Sequence, residues 1–469
     1  MYHTGVFMQI REKFSSRFGF IIVSVSCAVG LGNIWLLPYR AGTYGGGLYI
    51  LLFLGFAILM GIPILTTEYG VGRGSGKSVA EHYQVLQPPG SKWHIASYFQ
   101  ISGNYLLIMF YAVVCGQALA YLVKGITGEL IGASPEEIAA AFGALTGSAV
   151  QSYGYTLAIV WAGFAIVYFG VQKGVEFFGK YMMLTFFGLI IILIIRSLTL
   201  PGATAGLEFI FIPNLDAVNQ YGWFYILHRS MGQALFSLSV GMGSMAVFGS
   251  YINKEKSLLG EARTVGIIDL CVSMLCLLMI FPAAFAFGIS PATGGGLTFI
   301  TMPNIFNAMP GSYIWSLLFY LGLTFVSAST AFAVFENLVA ILMDKLGWSR
   351  KKSTLVNVIL ISFLIMPASF GTNIWRFSAP LFGQFPNFSA MWSFIVSDII
   401  LPLGSLVYIT FAATKKGWGW DHFIAEVNTG EGLKMPAGFR FYFTYIIPVA
   451  IAFVFILGII GRFFPGILW

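Results

Sequence analysis

Apolar stretches of about 20 residues recur from end to end of this chain, each long enough to cross the ~30 Å hydrocarbon core of a bilayer. A backbone in hydrocarbon must satisfy its own N–H and C=O groups, so such stretches fold as membrane-spanning helices. Composition removes the alternatives, since 9% of the 469 residues are charged and 58% are hydrophobic, against about 25% charged in soluble domains. That balance excludes a soluble domain, a disordered chain, a secreted disulfide scaffold and a peripheral membrane binder. The fold class expected is all-α, a polytopic helical membrane protein.

Windows bounded by charge and by Gly/Pro clusters give eleven spans: 17–40, 45–73, 94–124, 154–170, 175–198, 219–251, 262–288, 312–346, 353–371, 389–413 and 438–463. With the N-terminus in the cytoplasm, only Arg40, Lys124, Arg196, Arg229, Arg376 and Arg462 of the 25 basic residues fall on the outer side or in outer helix halves. This positive-inside bias places the chain in the cytoplasmic membrane, N-terminus inside and, with an odd number of spans, C-terminus outside. The net charge of +7 is therefore read as topological and not as a nucleic-acid-binding surface. Cys27, Cys115, Cys271 and Cys276 all sit in apolar runs, which predicts reduced, packed thiols and no metal. The N-terminus has no apolar core or small-residue cleavage site, so no removable signal peptide is expected.

Two spans carry polar and glycine residues at mid-depth: Ala28-Val29-Gly30-Leu31-Gly32-Asn33 in the first and Ser237-Leu238-Ser239-Val240-Gly241-Met242-Gly243 in the sixth. Glycine in a helix interior costs about 1 kcal/mol relative to alanine, and in membranes it often serves close packing alone. Two breaks five spans apart point instead to a five-plus-five inverted repeat, 17–198 and 219–413, with 438–463 as an extra helix. Unwinding frees carbonyl oxygens, which suit a hard cation such as sodium, and half-helix N–H groups, which suit a carboxylate. Asn33, Ser237, Ser239, Asp269, Ser329 and Thr330 add oxygens near the breaks, and Tyr111 offers a hydroxyl. Asp269 has no basic neighbour in its span, and a carboxylate at that depth costs a few kcal/mol, so a bound cation is its simplest partner. Glu68 and Glu336 lie nearer the cytoplasmic side, where a structural hydrogen bond is the better reading.

These residues resemble the neurotransmitter:sodium symporters, in particular their bacterial amino-acid branch with the LeuT fold. The resemblance rests on AVGLGNIWLLPY with GGG after it in the first span, ILTTEYGVGR, MFYAVVCGQALAY, GVQKGVEFFGKYMM, MGQALFSLSVGMG, GLTFITMPNIF and LGLTFVSASTAFAVFENLVAILMD, in order along nearly the whole chain. It implies a single transporter domain and one or two sodium ions. The first would be held by the Ala28 carbonyl, Asn33, Ser237 and Asp269, with Gln233 lining the same region. The second would use carbonyls of Ser26, Val29 and Val326 and the hydroxyls of Ser329 and Thr330. Asp269 looks like a built-in carboxylate that makes chloride unnecessary. A substrate carboxylate would meet the N–H groups of Leu31 and Gly32 and the Tyr111 hydroxyl, and an ammonium would meet Ala28, Phe236, Ser237 and Ser239. Gly30 stands where monoamine carriers have Asp, which favours an amino acid, and Leu107, Phe236, Met242, Ala333 and Val334 would form an apolar pocket. That list is equally consistent with ordinary core packing.

The same resemblance implies two gates. The cytoplasmic one would pair Arg11 with Asp344 beside Phe14 and Tyr251; the external lid would be Phe236. The usual external ion pair is missing, since Leu36 replaces the arginine and Ser393 stands near the expected acid, with Asp398 about a turn too deep. Arg229, one turn above Gln233 and two above Phe236, is expected to supply the positive charge of the outer vestibule, unless it merely snorkels to the interface. The function expected is therefore sodium-driven import of a hydrophobic or aromatic L-amino acid by alternating access, as a monomer or weak homodimer. An atypical substrate, such as an amino-acid derivative or aromatic acid, and a non-transporting sensor of the same fold remain open. An enzyme is disfavoured, because the five histidines are scattered and neither HExxH nor GxSxG occurs.

Overall fold

The computed structural model describes residues 12–289, 296–375 and 385–464. Arg11, expected in the cytoplasmic gate, and Arg376 lie outside them. The described residues form helices joined by loops, with two isolated backbone bridges, Gly46 to Pro213 and Lys256 to Glu431, in place of any sheet. Nine helices among them are long and apolar enough to cross a membrane unbroken: Gly47–Ser75, Ile95–Thr127, Ala149–Tyr168, Val171–Leu198, Leu258–Ala286, Ser312–Leu346, Arg350–Phe370, Phe388–Ala413 and Phe439–Phe463. Arg17–Ala28 and Gly32–Thr43 together make a tenth, bent span; the sixth window is broken into Trp223–Ser237 and Ser244–Gly249, neither half long enough to cross alone.

The first span starts at Ser16, whose hydroxyl accepts the Gly19 N–H and so caps the helix. It runs Arg17–Ala28, leaves helical geometry at Val29, and resumes as Gly32–Thr43 at 44° to its first half. The sixth runs Trp223–Ser237 and resumes as Ser244–Gly249. Between the halves Ser239 has φ +52°, the only positive φ of a non-glycine residue among the described residues. Glu68, on the second span, accepts the Gly241 N–H inside this break, the structural hydrogen bond expected of it. The second and sixth spans meet so closely that a Cβ on Gly72 would lie 1.9 Å from the Ala246 carbonyl oxygen.

The eighth span is the most enclosed, with 78% of its apolar window buried, whereas the fifth and the eleventh bury 33% each. The last two turn Phe177, Ile191, Ile195, Val449 and Phe453 outward, as a lipid-facing helix does. Cys271 corrects the expectation of four packed thiols: it is exposed, one turn beyond exposed Ile267, while Cys27, Cys115 and Cys276 are buried. The end of the bundle where the first span begins also carries the lysine-rich loops, and we call it the basic face. Connecting segments contain short helices that hydropathy does not reveal, including Pro135–Gly147, which opens with a Ser134/Glu137 capping box.

Candidate functional site

The two breaks face each other at the centre of the bundle, and oxygen atoms gather there. The Asn33 amide nitrogen lies 2.8 Å from Asp269 Oδ1, 2.8 Å from Ser273 Oγ and 3.1 Å from Ser237 Oγ, and Ser237 Oγ donates to Asp269 Oδ2 at 2.7 Å. An amide nitrogen has two hydrogens for these three acceptors. Asp269 is fully buried, and no Lys or Arg among the described residues forms an ion pair with it. A buried carboxylate held only by neutral groups, in a nest of hard oxygens, fits a small hard cation. Ser273 completes this nest and was missed in the sequence, although its i+4 spacing from Asp269 puts both on one helix face.

A second oxygen cluster lies between the first and eighth spans. Thr330 Oγ1 is 2.8 Å from the Ser26 carbonyl, 2.9 Å from Val29 and 3.2 Å from Val326, and Ser329 Oγ is 3.0 Å from the same Val326 carbonyl. Again one hydroxyl hydrogen serves three acceptors, so the donor set fits a second cation of the same kind. All five residues expected at this position are brought together.

Between the clusters lies a narrow cavity. Cys27, Ala28, Gly30, Leu31 and Gly32 form its wall on the first span, with Phe236, Ser239 and Met242 on the sixth. Leu107, Tyr111, Thr330 and Leu401 complete it. Cys27, Thr330 and Leu401 were not anticipated as lining. Ser237 instead turns to Asp269, and Ala333 and Val334 are buried in the eighth span without lining this cavity. The Leu31 N–H donates to the Tyr111 hydroxyl (3.3 Å) at the start of the resumed helix, where free N–H groups favour an anion. A Cβ on Gly30 would stand 2.6 Å from both Thr330 Oγ1 and the Tyr111 hydroxyl, so glycine here has a steric reason beside the one read from the sequence.

Side chains pack against each other toward both ends of the bundle. Toward the face opposite the basic one, Phe236 packs on Gly32, where a Cβ would come within 2.9 Å of its ring. Above it Arg229 forms an ion pair with Asp398 at 2.9 Å, and His228 Nε2 lies 3.3 Å from the same oxygen. This corrects the reading that Asp398 is a turn too deep. Ile395–Ile400 is π-helical, so helical spacing of 3.6 residues per turn misjudges which side Asp398 presents. Arg229 thus joins the sixth span to the tenth instead of snorkelling. Gln233 accepts from Arg40 at 3.0 Å and donates to the Gly32 carbonyl at 2.9 Å. The eleventh span braces this end: a Cβ on Gly458 would lie 1.9 Å from the His228 ring.

Toward the basic face, buried Glu336 receives both terminal nitrogens of Arg350 (2.6 and 2.9 Å) and the Tyr251 hydroxyl (2.7 Å). Phe14 meets Tyr251 edge-on at 5.8 Å. Asp344 accepts the Ser78 N–H at 2.6 Å and lies 3.6 Å from Lys77 Nζ. Phe14 and Tyr251 thus come together beside an Arg350–Glu336 pair that the sequence did not signal, because Arg350 reads there as one of three loop cations.

The sequence model of the sodium:neurotransmitter symporter family matches residues 11–139 and 145–464. The uncharacterized sodium-dependent transporter YhdH of Bacillus subtilis is 31% identical over 455 residues, covering 96% of this chain and 98% of that protein. The sodium-dependent serotonin transporter of Drosophila melanogaster is 24% identical over 501 residues, covering 96% of this chain and 77% of that one. Among solved structures, MhsT in complex with L-phenylalanine superposes with a TM-score of 0.87 at 33% identity, over 96% of this chain and all of the other.

Proposed function

The chain belongs to the sodium:neurotransmitter symporter family and is a sodium-dependent membrane transporter, not an enzyme; from that premise we propose that it imports a hydrophobic or aromatic L-amino acid together with one or two sodium ions, without needing chloride. The observation that carries this reading is the Asn33–Ser237–Asp269 nest beside a cavity with an apolar wall. A carboxylate built into the cation nest supplies the negative charge that a chloride ion would otherwise bring. A substrate carboxylate between the Leu31 N–H, Tyr111 and the first sodium couples the two ligands directly. The resemblance to a transporter solved with L-phenylalanine supports an aromatic or large aliphatic side chain against Phe236, Met242, Leu107 and Leu401.

In this reading the basic face is cytoplasmic and the five-plus-five repeats rock about the two breaks. The Arg229–Asp398 pair above Phe236 closes the external side; Phe14, Tyr251, Glu336 and Arg350, with Asp344, close the internal one. The test is uptake of radiolabelled hydrophobic and aromatic amino acids into proteoliposomes, with sodium or potassium outside and with chloride present or replaced, for wild type and Asp269→Asn. Sodium-dependent, chloride-indifferent uptake of one amino acid, lost or made chloride-dependent in the variant, supports the reading. Sodium binding without uptake of any amino acid rejects the substrate class.

A further inference from the structure

At the end of the bundle opposite the basic face, one buried carboxylate, Asp398, stands against a buried Arg40 and half-buried Arg229 and Arg462. Arg40 is 3% exposed, yet its hydrogen-bond partners among the described residues are neutral, the Gln233 side-chain oxygen and the Tyr49 hydroxyl. Its Nε is buried without a partner, as are the Nε atoms of Arg229 and Arg462 and Nδ1 of His228. Asp398 is the one carboxylate among the described residues that pairs with any of these arginines, and Arg229 and His228 already occupy it. Arg40 and Arg462 lie within electrostatic reach of that same Asp398. Arg462 otherwise rests on the faces of Phe385 and Phe394, at 5.0 and 4.4 Å. One carboxylate, held directly by Arg229, is thus the only buried counter-charge among the described residues within reach of Arg40 and Arg462. A buried guanidinium without an opposite charge is strongly unfavourable, and folded proteins supply such a group with a counter-charge.

We propose that Arg40, with Arg462 and the Arg229–His228 flank, binds one small monovalent anion, a halide or a carboxylate group. The guanidinium fork has N–H groups to spare for either, and fits a carboxylate with two parallel bonds. This site is distinct from the cation nest at Asp269, which is acidic. Gln233 links the two, accepting from Arg40 and donating to the Gly32 carbonyl. The inference does not depend on which amino acid the cavity holds, nor on whether transport needs chloride.

The full chain in lipid nanodiscs is titrated with sodium chloride or sodium acetate, each replacing sodium gluconate, whose anion is too bulky for a buried site, at constant sodium concentration. Unfolding is followed by tryptophan fluorescence. At least one of the two anions is expected to raise the wild-type Tm saturably, by about 3 °C. The rise should vanish in Arg40→Gln and survive in part in Arg40→Lys. A response to chloride alone identifies a halide site; a response to acetate, with or without chloride, identifies a carboxylate site of the kind a substrate's acidic group would use. A flat wild-type titration, or an equal rise in Arg40→Gln, overturns the proposal. Should Arg40→Gln fail to fold, Arg462→Gln replaces it: a half-saturating concentration raised about tenfold or more supports the site, and an unchanged one overturns it.

Discussion

Gly30 admits no side chain, because a Cβ would stand 2.6 Å from both Tyr111 and Thr330. Gly30→Ala displaces one group from the substrate cavity and one from the second cation cluster together. The expected outcome is a loss of about tenfold in affinity, ~1.4 kcal/mol, for substrate and for sodium alike, read by equilibrium binding to purified protein. Loss for one ligand only would show that the two groups act separately. The Arg229–Asp398 pair yields a sharper contrast. Arg229→Leu leaves Asp398 buried with His228 as its only remaining ion-pair partner among the described residues, and is expected to cost about 3 kcal/mol of stability and most of the uptake. Adding Asp398→Leu removes the stranded carboxylate but leaves Arg40 and Arg462 short of a counter-charge, so Tm should recover only in part while uptake does not; recovery of uptake as well would reduce the pair to a structural contact. Arg229 stood out in the sequence because a cation in an apolar span needs a reason. Asp398 stood out too, but as an acid about a turn too deep; that it meets Arg229, 169 residues away, was not legible because it lies in a π-helical turn.

The elements divide into those that hold shape and those that give way. The eighth span is enclosed along most of its length, whereas the first is interrupted at Val29 and the sixth between Ser237 and Ser244. Tyr251, soon after the sixth span's resumed helix, is tied to the eighth span through Glu336, which Arg350 holds in turn. Glu336→Gln keeps an acceptor for Tyr251 but loses the two-pronged charge pair. It should therefore loosen the basic-face closure, raising hydrogen exchange about tenfold in residues 15–20 relative to wild type, while exchange in the eighth span's core stays unchanged. Equal protection in both proteins would count against Glu336 as a latch. Span positions were legible because hydrocarbon imposes a length and forbids charge. Short connecting helices such as Pro135–Gly147 were not, since they bury little and no membrane dictates their length. The breaks were legible for a local reason, glycine beside polar side chains at mid-depth. Which pocket residues face the cavity was not, because Cys27, Thr330 and Leu401 reach it only through the way the spans pack.

For the molecule as a whole, ligands that bind only the folded state must stabilise it. Replacing potassium by sodium at about 100 times its dissociation constant should add ~2.7 kcal/mol per site, and substrate should add to this only when sodium is present. The factor by which sodium tightens substrate binding must equal the factor by which substrate tightens sodium binding, and calorimetry in both directions checks it. Asp269→Asn should abolish that mutual effect if the first cation is the link. The eleventh helix lies outside both halves of the proposed repeat and turns most of its surface to lipid, yet its Gly458 seats the His228 ring that flanks Asp398. A helix gripped by lipid on one side and by this contact on the other cannot tilt without moving the histidine. Bilayer thickness thereby becomes a mechanical input to the ion pair: thin and thick membranes should shift how readily it parts, with no change in any ligand.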